Sequence, residues 1–506
     1  VTAAPAGVTA AGGVPTPRPV ATDPELCAYY FPGWNTDAKW DCIRRIAPIR
    51  KPVLGYYDEA NPECVDWQIK WAVENGISCF LVDWYWQAGS RHYEHWFDAY
   101  RKARHRDLLK VAIMWANHNA PNTHSAGDWR TVTKHWIENY FTLPAYQKLE
   151  GKPVVYIWNP GNIRRDVGGT DAARALLAES QAMAKAAGHA GIAFVAMNGD
   201  FSASSMKLLS DEGYAATTTY HEWGARAQAA RHSLYTHVVE DSPAAWARKL
   251  AASAPLSYLP LVDTGWDSRP WHGDKARSID GRTPELFRRL LESARDFART
   301  NGLTTLVLGP LNEWGEGSYI EPNVEHGFAM VEAVRAVFGK GEPAGWPVNL
   351  GPRDLGLGPY DYPQLPAATA WTFDGPSPDW SPMMGVADVE VSGGALKFRT
   401  ASRDPAIEIQ TRGIRAREFT KAELTMRIEN AGAPVARGQL FWSTDAMAMT
   451  EPTSLSFEIA ADGTPHTVTL DLSANPRWRG RITMLRLDPC SSKDARVAIE
   501  GFALKP

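Results

Sequence analysis

Over the first two thirds of the chain, short apolar runs alternate with longer stretches in which apolar residues recur every three or four positions. The runs cover 27–31, 77–82, 110–114, 153–157, 192–197, 215–219, 258–262 and 304–308. Each is nearly continuous, as expected of parallel strands covered on both faces. The intervening periodicity predicts helices over 62–75, 92–105, 128–140, 170–187, 202–211, 242–252 and 283–301, with 325–338 closing the set. Thr283-Pro284-Glu285 reads as a cap, a proline in the first helical position and an acid in the first turn, and Asn301-Gly302 as the matching left-handed stop. Eight strand–helix alternations favour a closed (β/α)8 barrel, with an open parallel sheet as the alternative.

From 339 to about 366, Gly, Pro and Leu dominate without a period, which predicts a linker along the surface. The pattern then becomes apolar–polar alternation over 395–399, 406–410, 423–428, 439–442, 455–459 and 466–472, with 482–487 and 497–504 adding two more strands. Half-buried strands separated by Gly, Pro and Asp turns predict an antiparallel β-sandwich. The expected organisation is a flexible segment 1–24, a barrel 25–340, a linker 341–368 and a sandwich 369–506. The fold class is thus α/β, a TIM barrel followed by an all-β domain.

Composition narrows the partners. A net charge of −4 without Lys/Arg clusters argues against nucleic acid or an anionic membrane surface. The 21 Trp and 17 Tyr are more than cores require and suit stacking on sugar faces. Of the five cysteines, Cys27 and Cys79 fall in predicted strands, while Cys42 and Cys64 are placed so that they can pair. There is no CxxC or HExxH pattern and no apolar run near the roughly 20 residues of a membrane span, so no transition metal and no membrane segment are expected. The opening Ala/Gly/Pro/Thr-rich stretch looks like what remains after a leader is removed, which points to a secreted or periplasmic bacterial protein, expected to be a monomer.

Barrel active sites sit where the strands end. The eighth run leads into Leu311-Asn312-Glu313-Trp314-Gly315-Glu316-Gly317, so Glu313 and Glu316 would face the mouth together if the chain makes a helical turn there. Cleaving a glycosidic bond needs one protonated and one ionised carboxyl, and two neighbours supply both because each makes the other harder to ionise. The catalytic candidates are Glu313 and Glu316. Other residues following strands are candidates for substrate contact: Tyr30, Trp34, Asp83, Trp84, Trp86, Trp115, Asn117, His118, Asn119, Tyr220, His221, Glu222, Trp223, Asp263, Trp266, Asp267 and Asn312. Glu321 and Glu325 read as surface carboxylates or helix-start charges.

The runs Ala28-Tyr29-Tyr30-Phe31-Pro32-Gly33-Trp34, Leu54-Gly55-Tyr56-Tyr57-Asp58, Asp83-Trp84-Tyr85-Trp86 and Val262-Asp263-Thr264-Gly265-Trp266-Asp267, and above all Asn312-Glu313-Trp314-Gly315-Glu316-Gly317, resemble family 99-like glycoside hydrolases, the endo-α-mannosidase-related group, over 27–338. The resemblance implies a (β/α)8 barrel and retaining hydrolysis of α-linked mannose-type glycans through a 1,2-anhydro sugar. Glu313 would then be the base at the sugar 2-hydroxyl and Glu316 the general acid, later base. Carboxylate chemistry alone suggests the simpler nucleophile scheme, and both stay open. Gly315 stands where characterised mannosidases carry a bulkier residue, which leaves the sugar open: mannose, rhamnose or another deoxy sugar, or a uronate-containing polymer. The C-terminal sandwich, with Trp442 and the 478–489 segment, resembles carbohydrate-binding modules. The expected partner is a polysaccharide or oligosaccharide, with no cofactor. Two other readings are a polysaccharide lyase, for which Arg91, Arg269 and Arg277 would hold a uronate carboxyl, and a non-catalytic glycan-binding protein.

Overall fold

The computed structural model describes residues 13–118, 121–362, 367–374, 380–444 and 447–506. They form two compact units. The first comprises the described residues up to Asn35, Ile43–Tyr85 and Tyr93–Tyr362; the second comprises Thr36–Cys42, Trp86–His92 and the described residues from 367 onward.

The first unit is built on eight parallel strands: β1 Glu25–Tyr30, β2 Cys79–Gln87, β3 Lys110–Trp115, β4 Lys152–Ile157, β5 Ala193–Met197, β6 Ala216–Thr218, β7 over 257–262 and β8 Thr305–Leu308. β1 sits between β2 and β8, with Cys27 opposite both Cys79 and Val307. β7 is broken at Leu259-Pro260: Ser257–Tyr258 pairs with β6, and Leu261–Val262 pairs with β8. Proline has no N–H to donate, so the strand changes partner where a ladder bond is missing anyway. That change of partner closes the ring and excludes the open sheet. Strand interiors such as 26–30 and 111–115 are fully buried, as continuous apolar runs require.

The covering helices are α1 Pro62–Glu74, α2 His95–Lys102, α3 Ala126–Asn139, α4 Thr170–Ala186, α5 Ala203–Glu212, α6 Tyr235–Ser253, α7 Pro284–Asn301 and α8 Ala329–Phe338. Asn61, Ser125, Ser202 and Thr283 each cap a helix by accepting a backbone N–H within the first turn, and Gly302 (φ +64°) ends α7 as read. α6 begins earlier than its period suggested, because Pro243 lies inside the helix and masks its first two turns.

One expectation about the connecting segments changes. Residues 13–24 pack on the barrel: Val14 is buried, Val20 N–H donates to Val73 O at 2.9 Å and Arg18 N–H to Glu74 Oε1 at 3.0 Å. Backbone bonds of this kind need no sequence period, so composition alone read the stretch as flexible. Residues 1–12 lie outside the described ones. Residues 341–362 of the linker run along the barrel, held by Trp71 Nε1 on Leu350 O (2.8 Å) and Arg335 on Pro347 O (2.8 Å). All five cysteines are free thiols, so Cys42 and Cys64 do not pair.

In the second unit, β9 Ala370–Thr372, β10 Trp380–Met384, β11 Val386–Ser392, β12 Ala395–Thr400, β13 Ala406–Arg415, β14 Lys421–Glu429, β15 Val435–Thr444, β16 Ser454–Ala460, β17 His466–Asp471, β18 Arg481–Asp488 and β19 Arg496–Lys505 form two antiparallel sheets. One has the order β11-β12-β19-β14-β17 with β9 beside β19, and the other β10-β13-β18-β15-β16. Trp442 and Trp478 belong to the core between them, edge to face at 5.2 Å, with both indole N–H groups on backbone carbonyls. They pack rather than offer a sugar platform.

Candidate active site

The pleat of β2 sorts its last residues between two environments. Asp83 points into the barrel mouth, where its Oδ2 accepts from Tyr220 O–H at 3.2 Å. Trp84 points the other way, donating to Glu94 (2.8 Å) and Tyr140 (3.0 Å) and packing on Trp136. Trp115 on β3 likewise packs on Trp129 and Trp136. Both are candidates for substrate contact in the sequence; strand alternation places them in the layer between sheet and helices instead.

After β8 the chain pairs Asn312–Glu313 with Ser318–Tyr319 around a single 3₁₀ turn, Trp314–Glu316. Gly317 ends that turn at φ +70°, a conformation glycine adopts without penalty. Gly315 is required for space rather than for dihedral freedom: a Cβ there would stand 2.0 Å from Trp271 Cε2. Trp271 itself stacks on Trp34 at 5.8 Å. Asn312 clamps the loop, accepting from Phe31 N–H (2.9 Å) and donating to Phe31 O (2.9 Å) and Glu59 Oε1 (3.2 Å), so its amide holds backbone and not ligand.

This turn brings both glutamates to the mouth beside Asp83 and Tyr220. Tyr220 O–H lies 3.3 Å from Glu313 Oε1 as well as 3.2 Å from Asp83, so one phenol bridges two carboxyl groups. Glu313 is driven well above the ordinary carboxylate range, first by burial and then by the charges of Glu316 and Asp83, with Tyr220 opposing. Burial also raises Glu316, with His221 opposing, and raises Asp83, where Tyr220 opposes and Glu316 adds to the effect. Three carboxyl groups sharing one low-dielectric space do not all ionise near neutrality, so the cluster retains protons. Asp83 Oδ1 is buried without a hydrogen-bond partner, one acceptor left for a ligand.

A second tier of buried acids supports the first. Glu59 accepts from Tyr30 O–H (3.2 Å), Trp34 N–H (2.8 Å) and Asn312, and pairs with His95 at 3.3 Å. Glu321 is fully buried, accepting from Tyr57 O–H (2.8 Å) and Gln68 (3.3 Å), and burial raises its pKa to about 8. It is not the surface carboxylate expected from sequence, whereas Glu325 is exposed.

The remaining candidates divide. His221 faces the mouth: Nδ1 is 3.0 Å from Asp263 Oδ2, and Nε2 is buried without a partner. Trp223 and Trp266 pack around that ring, each with a buried, unpartnered indole N–H. Asp263 is fully buried and also accepts from the Glu222 and Gly265 N–H groups (3.0 and 2.8 Å), which makes it a positioning residue. Glu222 is ion-paired with Lys249. Asp267 is held by Arg50 and by Arg269 (2.7 Å); burial works to raise its carboxyl, but the two guanidinium groups outweigh it and keep it below the usual range. Asn117 spends its amide on the backbone of Asn159. Tyr30 and Trp34 are buried in the Glu59 tier, and His118 is exposed with its ring edge on Trp158 at 4.8 Å. Trp86 is buried and counts with the second unit; Asn119 lies outside the described residues. Sequence reasoning missed Tyr29, Tyr85, Trp158 and Trp271. Tyr85 was legible, two positions after Asp83 on the same face of β2. Tyr29 and Trp158, which hold the Tyr220 ring at 4.7 and 4.9 Å, were not.

Among the described residues, no group of three or more His, Cys, Asp or Glu is arranged to hold a metal ion, and no helix is long and apolar enough to cross a membrane. The sequence model of the family described as Glycosyltransferase WbsX matches residues 47–334. The chain is 24% identical over 347 residues to the uncharacterized protein WxcX of Xanthomonas campestris pv. campestris, covering 62% of this chain and 47% of that protein; it thus spans about half the length of the curated relatives it matches. Among solved structures, it is similar to the GH99 endo-alpha-mannosidase from Bacteroides thetaiotaomicron (15% identity, 63% of this chain and 99% of that one, TM-score 0.44). Part of it is similar to a mutant of a family 29 carbohydrate-binding module (12% identity, 27% and 91%, TM-score 0.21).

Proposed function

Starting from the fact that the chain belongs to the family described as Glycosyltransferase WbsX, we propose that it is a glycoside hydrolase that cleaves glycosidic bonds in a complex polysaccharide or glycan, with Glu313 and Glu316 as its working pair. The observation that carries this reading is the pair of carboxyl groups at the barrel mouth, Glu313 buried and joined to Asp83 through Tyr220, and Glu316 half-buried three residues on.

The electrostatics give a pair that retains a proton, Glu313 being raised by burial and by the Glu316 and Asp83 charges, and Glu316 by burial. Glu316, raised by burial, keeps a proton at pH values where an exposed glutamate has lost it, which is what protonating a leaving oxygen demands. A raised Glu313 is, once ionised, a stronger base than an ordinary carboxylate and better matched to a sugar hydroxyl. Because the two are coupled, loss of the first proton holds the second in place, so a singly protonated pair spans a broad pH range. Attack of the 2-hydroxyl oxygen on C1, its proton passing to Glu313 while the bond to the departing oxygen breaks with a proton from Glu316, would give an anhydro sugar that water, deprotonated by Glu316, opens with net retention; direct attack by Glu313 on C1 would give a glycosyl-enzyme that water releases with the same outcome. The same pair working on a sugar hydroxyl in place of water would give transfer, the chemistry in the family's description, and the products distinguish the two.

The test is a polysaccharide panel assayed with the parent and with Glu313→Gln and Glu316→Gln. Each substitution should lower turnover at least about a hundredfold, the ordinary cost of losing an acid/base group. Near-normal turnover in either variant would remove that residue from its role. Ultraviolet-absorbing unsaturated products would instead identify a lyase, and retention of glycan without any product a binding protein.

A further inference from the structure

A cavity of about 820 Å³ opens at the carboxyl ends of β5 and β6 and shares Tyr220 and His221 with the carboxylate cluster. Its volume lies in the range of small-molecule sites, roughly 300–1,000 Å³. The Tyr220 ring is therefore a partition, with Asp83 and Glu313 at its hydroxyl and this hollow alongside.

The lining is unfinished in a specific way. Thr219 Oγ1, His221 Nε2 and Trp223 Nε1 are all buried without a hydrogen-bond partner. Buried polar groups ordinarily have a partner, so three such atoms on lining residues point to a polar ligand that completes them. Trp158, Phe201 and Trp223 supply the flat apolar surfaces that sugar rings pack on. The opposite wall, from α6, carries Arg248 and Lys249. Lys249 is neutralised by Glu222 and sits 5.0 Å over the Phe201 ring. Arg248 is exposed and has no ion-pair or hydrogen-bond partner among the described residues. Counting Glu222 against Arg248 and Lys249, the formal charge of the lining is +1 with His221 neutral. The free groups are thus mainly donors: the indole N–H, the guanidinium and the remaining ammonium hydrogens.

We propose that this hollow is a glycan subsite for the residue next to the scissile bond, and that this residue carries a carboxylate, as a uronic acid does. The inference rests on the hydrolase reading above and specifies its substrate class. The carboxylate would lie against Arg248, whose planar fork matches two oxygens, with Lys249 beside it. The ring hydroxyls would complete Thr219, His221 and Trp223.

Glu313→Gln protein, slowed in cleavage, is run through native gels containing uronate polysaccharides, each beside its carboxyl-reduced form. Retardation should be at least tenfold weaker on the reduced polymer. Arg248→Ala should lose a similar factor on the native polymer only, and Arg248→Lys should recover part of it. Equal retardation by native and reduced polymers, an Arg248→Ala protein that behaves like its parent, or no retardation by any polymer would each overturn the proposal. The two readings fail separately: full turnover by Glu313→Gln overturns the acid/base assignment, whereas unchanged retention by Arg248→Ala overturns the acidic subsite.

Discussion

Replacing Glu321 by Gln should flatten the pH dependence of the barrel's stability. Glu321 is fully buried, and its pKa rises from the ordinary 4.5 to about 8, chiefly because burial penalises the charged form. A carboxyl group whose folded pKa is raised binds more protons in the folded than in the unfolded state, so its contribution is complete below about pH 4.5 and is lost as pH climbs through 8. At roughly 1.4 kcal/mol per pH unit over that interval, the loss amounts to about 5 kcal/mol. Glutamine keeps the shape of the protonated acid and can still meet Tyr57 and Gln68, but does not titrate. Chemical denaturation of the whole protein from pH 5 to 9, followed by tryptophan fluorescence, should show the parent's barrel transition moving to lower denaturant as pH rises and that of the variant moving much less. Parallel curves for the two proteins would refute the reasoning, because the acid would then ionise freely in the folded state.

Gly315→Ala should destabilise by about 1–3 kcal/mol, the usual cost of overpacking, and lower turnover at least tenfold, because Trp271 must leave its place on Trp34. In a Trp271→Ala background the same change should cost almost nothing in unfolding experiments, a non-additivity that direct contact demands. Asp83→Asn should abolish most turnover with little change in melting temperature, whereas Trp84→Ala should cost about 3–5 kcal/mol as a buried aromatic truncation. A calorimetric scan beside a rate measurement separates that pair of neighbours.

Much of this was legible in the chain because it follows from period. Continuous runs marked all eight barrel strands, and alternation marked eight of the sandwich strands; β9, β10 and β11 were missed where short strands carry Pro, Asp or Gly nearby. The glutamate pair was legible because the end of an eighth strand has only one place to go. Which mouth residues face a ligand was less so. Strand alternation, applied within β2, would have separated Asp83 and Tyr85 from Trp84. Nothing local, however, foretold that Asp267 would be claimed by Arg50, Asn117 by Asn159, or Glu321 by a buried tyrosine. Those pairings join residues far apart in sequence, and only the folded chain determines which polar groups find each other.

The ring closes where β1 meets β8, the first strand of the unit beside nearly its last. A ribosome would therefore deliver almost the whole barrel before its earliest strand, already beside β2, found its second permanent neighbour, and until then two unpaired edges would stand open to other chains. A fragment ending ahead of residue 305 should be sticky and short-lived, however much of the carboxylate-bearing rim it retained.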